Sequence, residues 1–325
     1  PSQLEMYLTL SDLCQVTSYL FIVSMFIPPD FTAHMLEIYG QSGRDWLDRL
    51  PAILADCAEH WQLTLERPFP LSYNYVTAAT RADGAPVVLK VGYPNPELLS
   101  EMAALRVYNG RGVCRLLAAD ETQGAFLLER VLPGVTLDTL PDDDEATLIA
   151  AQVMQQLWQP APANHAFPSL ARWTEAILRL RPHFGGATGP FPAKLVDTAV
   201  ALRAELLADD VTAVLLHGDF HHYNVLTAQR QPWLAIDPKG VVGDPAYEPS
   251  TLLYNPVHTF PYRPDMPRRL RRRLDILADV LDIDRARLLR WGIVQNVLSV
   301  WWSVEDNESG WEPVLRIGEA LLADL

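Results

Sequence analysis

The sequence predicts an α+β protein with a small β-rich N-terminal lobe and a larger helical C-terminal lobe. Short segments typical of β-strands are concentrated before residue 134, whereas segments with helical periodicity dominate after residue 142. The chain has 325 residues, of which 49% are hydrophobic and only 20% charged. That composition is globular, and the length suits one large or two modest domains.

The N-terminal lobe is expected to span residues 25–132 and to begin with a helix. Pro96 opens a second helix and Gly110 closes it, the usual asymmetry of helix ends. The predicted elements are a helix over 44–60, a hairpin of 75–82 and 87–93 around "DGAP", a helix over 96–110, and strands over 113–121 and 125–134.

The C-terminal lobe is expected to span residues 133–325, after a hinge near 129–134. Asp284 is well placed to cap the helix that follows it. The predicted elements are helices over 142–158, 169–181, 192–208, 267–282, 284–304 and 311–324, with one hairpin over 224–237.

Residues 1–24 are predicted to form an extension outside the functional domain. They contain no Lys or Arg, and the apolar run at 16–27 is too short to span a bilayer and lacks the basic flank of a signal peptide. A segment that docks on the rest of the protein is the alternative. The function of this extension stays open.

The charge balance favours a small cationic partner over a polyanionic one. The net charge is −14, from 40 acidic and 26 basic residues, which argues against binding to nucleic acid or to an anionic membrane. Solubility alone is the alternative explanation. The five arginines of "PRRLRRRL" (267–274) are expected on a solvated helix surface.

The cysteines favour a reducing, cytoplasmic compartment. Cys14, Cys57 and Cys114 are odd in number and far apart, so they form neither a disulfide framework nor a CxxC metal site. The oligomeric state cannot be inferred from the sequence.

Lys90 is the first candidate functional residue. It lies in the middle of the apolar strand "VVLKVGY", where an unpaired ammonium group is costly. Glu101, on the following helix, is the expected partner. The alternative is a lysine on an edge strand that reaches water.

The stretch "LLHGDFHHYNVL" (215–226) holds the main candidates. Asp219 and Asn224 lie in one loop, and Asp237 closes the hairpin that follows. Phosphoryl transfer needs such a set, because one carboxylate orients the attacking hydroxyl while an amide and a second carboxylate hold Mg²⁺. Each residue alone is also common in turns.

These residues and their order resemble the protein-kinase-like fold, and specifically the aminoglycoside phosphotransferase family. The similarity covers residues 26–322 and is closest to the streptomycin 6-phosphotransferase and hydroxyurea phosphotransferase group. "HGDFHHYN" resembles the family's catalytic loop, and "IDPKG" stands where protein kinases have DFG. The other similar stretches are "AALRVYNGRGVCRLLAAD", "FLLERVLPG", "WLAIDPKGVVGDPAYE" and "LDIDRARLLRWG".

The resemblance implies a bilobal kinase that uses ATP and Mg²⁺. By position the roles would be Asp219 as catalytic base, Asn224 and Asp237 as Mg²⁺ ligands, Lys90 paired with Glu101 on the α- and β-phosphates, and the backbone of Glu129 and Val131 as the adenine site. One feature departs from protein kinases. "LSYNYVTAAT" (71–80) stands where a GxGxxG loop is expected and contains no glycine.

A cationic acceptor would need acidic side chains and a flat apolar surface. The candidates are Glu248, the cluster of Glu305, Asp306 and Glu308, and a wall formed by Trp301 and Trp302. The alternative is a solvated helix end with tryptophans in the core.

The sequence therefore predicts a small-molecule kinase acting on an aminoglycoside-like acceptor, in antibiotic resistance. A kinase for hydroxyurea, a sugar or a choline-like amine is the first alternative. The others are a non-catalytic nucleotide-binding module and a metallohydrolase that uses His221 and His222 beside Asp219, whereas His217 is expected to brace the loop.

Overall fold

A computed structural model describes residues 27–325, so the predicted extension 1–24 lies outside the described residues. The described chain forms two compact units. The first contains residues 27–102 and Arg115–Arg130, and the second contains Ala103–Cys114 and Val131–Leu325. Within 27–325, no helix combines the length and the apolar character needed to cross a membrane.

The first unit is a five-stranded antiparallel sheet with one long helix packed on it. The strands follow the order β1-β2-β3-β5-β4. Residues of the second helix from Ala103 onward belong to the second unit. The elements are α1 (Pro29–His60), β1 (Leu63–Pro68), β2 (Asn74–Arg81), β3 (Pro86–Gly92), α2 (Pro96–Tyr108), β4 (Leu116–Asp120) and β5 (Ala125–Glu129).

Helix α1 is longer than the predicted leading helix over 44–60. Its regular geometry is interrupted at Gly40, whose φ of 55° and ψ of −128° lie outside the helical region. After that break, every fourth residue of one helix face is apolar, at Trp46, Leu50 and Leu54. These side chains pack on apolar side chains of the sheet, including Leu89. The sheet is therefore backed by a continuous apolar stripe of α1.

The second unit is mainly helical and carries two small sheets. Strands pair in the order β6-β8-β9 in one sheet and β10-β7 in the other. The elements are β6 (Pro133–Thr136), α3 (Asp143–Leu157), α4 (Leu170–Trp173), α5 (Leu180–His183), α6 (Ala193–Ala208), β7 (Val214–Leu216), β8 (Val225–Ala228), β9 (Trp233–Ala235), β10 (Val241–Gly243), α7 (Ser250–Tyr254), α8 (Met266–Leu281), α9 (Arg285–Glu305) and α10 (Glu312–Asp324).

The capping predicted for α9 is confirmed. The Asp284 carboxylate accepts the backbone N–H of Arg287 at 2.8 Å. The single helix predicted over 169–181 is instead α4, a 3-10 helix over Thr174–Arg179, and α5. Arg203 donates to the carbonyl oxygen of Ala171 at 2.7 Å, so a side chain takes a carbonyl that a continuous α-helix would use.

The arginine run on α8 is only partly a solvated surface, because Arg273 is 1% exposed. Its guanidinium donates to the Asp143 carboxylate at 2.5 and 3.1 Å and to the carbonyl oxygens of Leu252 and Asn255 at 2.8 and 2.6 Å. It also stacks on the Phe260 ring at 3.6 Å. For Arg273 the predicted exposure is wrong, and the side chain joins α8 to the neighbouring helices.

Replacing Arg273 with methionine should destabilise the fold by about 3–5 kcal/mol, because the partly buried Asp143 carboxylate and several buried carbonyl oxygens would lose their donor. Arg272→Met is the matched control, since the neighbouring Arg272 pairs with Asp144 at the surface and should matter little. Urea unfolding followed by circular dichroism measures both. Equal destabilisation by the two variants would contradict the buried role of Arg273.

Candidate active site

The first unit supplies a buried ion pair between β3 and α2. Lys90 Nζ lies 2.7 and 2.8 Å from the two carboxylate oxygens of Glu101. The side chains are only 3% and 8% exposed. Strand β3 lies between β2 and β5, so Lys90 is not on an edge strand. The predicted pair therefore forms, and it holds an ammonium group in a fixed place in the sheet.

Glu129 ends strand β5 and is tied to Arg115. Its backbone N–H donates to the carbonyl oxygen of Arg115 at 2.9 Å, and its carboxylate accepts the N–H of Arg115 at 3.0 Å. Val131 is the first residue of Val131–Leu325, the longer of the two chain segments in the second unit. The backbone between these two residues thus passes from one unit to the other.

In the second unit, the loop after β7 is clamped by Glu248. The two carboxylate oxygens of Glu248 accept the consecutive backbone N–H groups of His217 and Gly218 at 2.6 and 2.9 Å. Gly218 has a φ of +84°, and a Cβ there would lie 2.9 Å from Val241 Cγ2. Only glycine suits this position, because both the backbone and the close approach exclude a side chain.

His217 holds the same loop from the other side. Its Nε2 lies 2.7 Å from the carbonyl oxygen of Ile236, and its Nδ1 accepts the N–H of Asp219 at 3.3 Å. These contacts require a proton on Nε2 alone. Burial lowers the pKa of His217 to about 4, which keeps the ring neutral. As expected from the sequence, His217 supports the loop, and its side chain is fully buried.

Asp219 is the candidate catalytic residue of the loop, and its side chain is 35% exposed. Burial by itself would raise its pKa, but the interactions with His221 and Lys239 outweigh that effect, so the pKa is well below the usual range. His221 Nε2 lies 3.6 Å from Oδ1 of Asp219. Asp219 is therefore ionised at neutral pH and can accept a hydrogen bond from a hydroxyl group.

The hairpin of β8 and β9 places Asn224 opposite Ile236, the residue before Asp237. The carbonyl oxygen of Asn224 accepts the N–H of Ile236 at 2.9 Å. The amide nitrogen of Asn224 donates to the carbonyl oxygen of Asp219 at 3.0 Å, so its amide oxygen is the atom suited to a hard cation. Asp237 has a φ of +60°, a strained backbone conformation that is concentrated at functional sites. An amide and a carboxylate oxygen suit Mg²⁺.

The three histidines do not converge on a metal. His222 is buried and its pKa is well below the usual value because of burial and of the neighbouring Arg273. His217 is committed to the loop. Within residues 27–325, no group of three or more His, Cys, Asp or Glu side chains is arranged to hold a metal ion. The zinc-hydrolase alternative therefore has no support in this part of the chain.

The candidate acceptor residues have different surroundings. The sequence places Glu248 among the acceptor-binding acids, but it is 1% exposed and both oxygens hold the loop. Trp301 is fully buried in the core. Trp302 is half-buried, with its ring 5.5 Å from that of Trp173 at 72°. Glu305 pairs with Arg179.

The remaining two acids lie at the end of α9. Asp306 is exposed, and Glu308 is exposed and accepts the hydroxyl of Ser303 at 2.8 Å. Together with the half-buried Glu305 they form an acidic group directly after Trp302. The acidic C-terminal end of α9 is thus accessible, whereas Trp301 is part of the core.

A polar network behind this surface was not predicted from the sequence. The hydroxyl of Tyr247 donates to Gln295 and accepts the indole N–H of Trp173 at 3.1 Å. Tyr254 bonds to Ser299 and Gln295, and burial raises its pKa to about 12. The charge of Asp219 acts on both tyrosines, so the network lies close to the loop.

The signal for this network is a spacing on α9. Gln295, Ser299 and Trp302 follow the i, i+4, i+7 pattern, which places them on one helix face. That face connects the neighbourhood of Asp219 with the acidic end of the helix.

Comparison with known proteins shows the family of this chain. A family model described as aminoglycoside/hydroxyurea antibiotic resistance kinase matches residues 64–307. The chain belongs to this family. Streptomycin 6-kinase of Streptomyces glaucescens is 32% identical over 298 residues, which cover 91% of this chain and 96% of that protein. Hydroxyurea phosphotransferase of Kitasatospora aureofaciens is 33% identical over 302 residues, covering 91% and 86%.

The fold of this kinase is also found in solved structures. A thermostable mutant of aminoglycoside phosphotransferase APH(4)-Ia, in a ternary complex with ADP and hygromycin B, matches with a TM-score of 0.56 at 16% identity. The match covers 83% of this chain and 96% of that one. The predicted α+β protein-kinase-like fold is confirmed. This aminoglycoside/hydroxyurea resistance kinase is a phosphotransferase that acts on a small molecule.

The turnover of this kinase should fall as the pH decreases through about 7. Burial raises the pKa of Glu248 from 4.5 to about 7. Below that pH, one carboxylate oxygen is protonated and no longer accepts the N–H of His217 or Gly218, so the loop loosens. Because the folded-state pKa is the higher one, protonation between pH 4.5 and 7 stabilises the fold, and this group causes no acid unfolding in that window.

Steady-state kcat from pH 5.5 to 8.5 at saturating nucleotide, with circular dichroism at each pH, measures the effect. Glu248→Gln cannot titrate, so its kcat should be low and should lack this acid limb. An identical acid limb in the variant would assign the limb to another group.

Proposed function

We propose that this kinase transfers the γ-phosphate of ATP, bound with Mg²⁺, to a hydroxyl group of an aminoglycoside-like acceptor and thereby confers resistance to it. The observation that carries the proposal is the clamped loop of the second unit. It presents an ionised Asp219 beside a hairpin that brings Asn224 next to Asp237. Phosphoryl transfer depends mainly on positioning and on charge, and this loop supplies both.

The nucleotide is proposed to bind to the residues that the family resemblance assigns to it. Lys90, held by Glu101, would bind the α- and β-phosphates, and the backbone of Glu129 and Val131 would bind the adenine. On this basis residues 25–132 act as the nucleotide-binding lobe and residues 133–325 as the catalytic and acceptor lobe.

The proposed metal site has the donor chemistry of a hard cation. The Asp237 carboxylate and the Asn224 amide oxygen would hold Mg²⁺, with no soft ligand in the pair. When bound, the metal neutralises charge on the nucleotide phosphates. The strained backbone of Asp237 is consistent with a carboxylate aimed for function.

Asp219 would orient the attacking hydroxyl and receive its proton. Its lowered pKa makes it a weak base in the ground state. The acceptor hydroxyl therefore keeps its proton until the bond to phosphorus is largely formed or the leaving group has largely departed, as suits a loose transition state. Geometry, more than base strength, is the contribution of this residue.

The acceptor is proposed to bind along the α9 face that ends in the acidic group. Trp302 offers an aromatic face, and Glu305, Asp306 and Glu308 offer negative charge. Aromatic faces and carboxylates together suit an amine- or guanidinium-bearing sugar. The 32% identity to a streptomycin 6-kinase supports this class. Hydroxyurea, the substrate in the name of a relative with 33% identity, is the second candidate.

A coupled ADP-release assay with ATP and Mg²⁺ against streptomycin, other aminoglycosides, hydroxyurea and simple sugars tests the proposal. Turnover is expected with an aminoglycoside. Asp219→Asn should lower kcat by roughly 10²–10⁴-fold with nucleotide affinity retained, because the carboxylate acts on the acceptor. Asp210→Asn, a surface control, should behave as wild type. Wild-type kcat in Asp219→Asn would overturn the role of Asp219, and ATP binding without turnover on any acceptor would overturn the acceptor class.

Asp237→Asn should weaken Mg²⁺-dependent nucleotide binding by about tenfold or more, which corresponds to about 1.4 kcal/mol. The reason is the loss of a charged ligand from the proposed metal site. Isothermal titration with the ATP analogue AMP-PNP, with and without Mg²⁺, measures it. Asp282→Asn is the matched control, because Asp282 is exposed and also has a positive φ of 55°. Unchanged Mg²⁺ dependence in Asp237→Asn would remove it from the site.

A further inference from the structure

The second unit contains a cavity of about 570 Å³ between the C-terminal end of α9 and the short helices around α5. Its lining combines two arginines, two glutamates, a histidine and a tryptophan. These are Arg172, Glu175, Arg179, His183, Trp301 and Glu305. The cavity therefore has charged walls, which suit a polar ligand. The Trp301 ring beneath them is fully buried.

The charged groups in this cavity are paired with each other. Arg179 makes a two-pronged contact with Glu305, from Nε to Oε1 at 2.8 Å and from Nη2 to Oε2 at 2.7 Å. Arg172 pairs with Glu175 three residues further along the chain. The Glu305 carboxylate thus already holds two parallel N–H donors, the geometry that a guanidinium group offers.

The two partners of the Arg179–Glu305 pair differ in how firmly they are held. The arginine side chain is 60% exposed, whereas the glutamate is 24% exposed and belongs to the last turn of α9. An exposed arginine returns to water at little cost, since such surface pairs contribute little. The fixed component of the pair is the carboxylate, so the cavity favours a cation as its exchangeable occupant.

The surroundings of Glu305 strengthen that preference. The C-terminal end of a helix carries a partial negative charge. Asp306 and Glu308 follow directly and are exposed. Glu305 is also three residues beyond Trp302, which puts it next to the α9 face proposed above to contact the acceptor.

We propose that Glu305 binds a guanidinium or ammonium group of the acceptor, and that Arg179 occupies this place until a cationic acceptor displaces it. The inference rests on the proposed kinase function and specifies the acceptor class. Arg179 acts as an internal surrogate for the cationic substrate. A neutral acceptor gains nothing from displacing Arg179, so the pair discriminates by charge.

Three variants test the exchange. Arg179→Gln removes the surrogate, Glu305→Gln removes the receiving charge, and Arg181→Gln is the matched control. Arg181, on the adjoining helix α5, pairs with Asp197 of α6 at 2.5 Å and is absent from the cavity lining. The probes are streptomycin, as a guanidinium-bearing acceptor, and hydroxyurea, as a neutral one.

Arg179→Gln should tighten streptomycin binding by about 2- to 5-fold, the range expected from removing a weak competing pair. Glu305→Gln should weaken that binding by about tenfold. In the double variant the gain from Arg179→Gln should disappear, because no receiving carboxylate is left. Arg181→Gln should bind like wild type, and the affinity for hydroxyurea should be equal in all proteins that bind it.

Isothermal titration without nucleotide gives the affinities, and ADP release gives KM. Together they distinguish a failure of the proposed exchange from a failure of the proposed kinase function. Tighter streptomycin binding in Arg179→Gln without turnover on any acceptor supports the exchange and overturns the proposed function. Turnover on streptomycin with unchanged or weaker binding in Arg179→Gln overturns the exchange alone. Neither binding nor turnover of streptomycin overturns both.

Discussion

Two hydrogen bonds from consecutive backbone N–H groups to one buried carboxylate determine the shape of the candidate catalytic loop. Glu248 accepts from His217 and Gly218, and a buried charge without these donors would be unstable. Gly218 bends the chain at the clamp, and the neutral ring of His217 fixes Ile236 and Asp219 on the other side. The direction of the Asp219 carboxylate follows from backbone contacts that no substrate has to form, which is the preorganisation that phosphoryl transfer requires.

The segment that carries this clamp also ties the loop to α9. Asp244 accepts from Arg287 and Trp291 of α9 at 2.7 and 2.6 Å. Tyr247 then donates to Gln295 on the same helix, and the next residue is Glu248. The segment 244–248 is therefore attached to α9 through Asp244 and Tyr247 and to the loop through Glu248. A displacement of α9 would therefore also move the loop that carries Asp219. The acceptor surface proposed on α9 would then keep its position relative to the Asp219 carboxylate.

Local patterns predicted the elements that depend on local physics. The hairpin of β2 and β3, the helix after Asp284 and the kinase fold all follow from periodicity, turn residues and motif order. Strand β1 was missed because "LTLERP" has few apolar residues and is an edge strand, where burial imposes little pattern. Arg273 was misplaced because its partners come from α3 and α7. The role of Glu248 depends on donors about thirty residues away, and no local signal reveals them.

Contacts between distant residues also change the meaning of the net charge of −14, from which the sequence analysis favoured a cationic partner. Many of the acids are taken by arginines of the same chain, as in the pairs of Asp143 with Arg273 and of Asp244 with Arg287. Such acids attract no ligand, because their charge is already neutralised by a fixed neighbour. A carboxylate can recruit a cationic substrate only where its own counter-ion is easily released to water. The exposed Arg179 meets this condition and the buried Arg273 does not, so the charge selectivity proposed above depends on how each counter-ion is held.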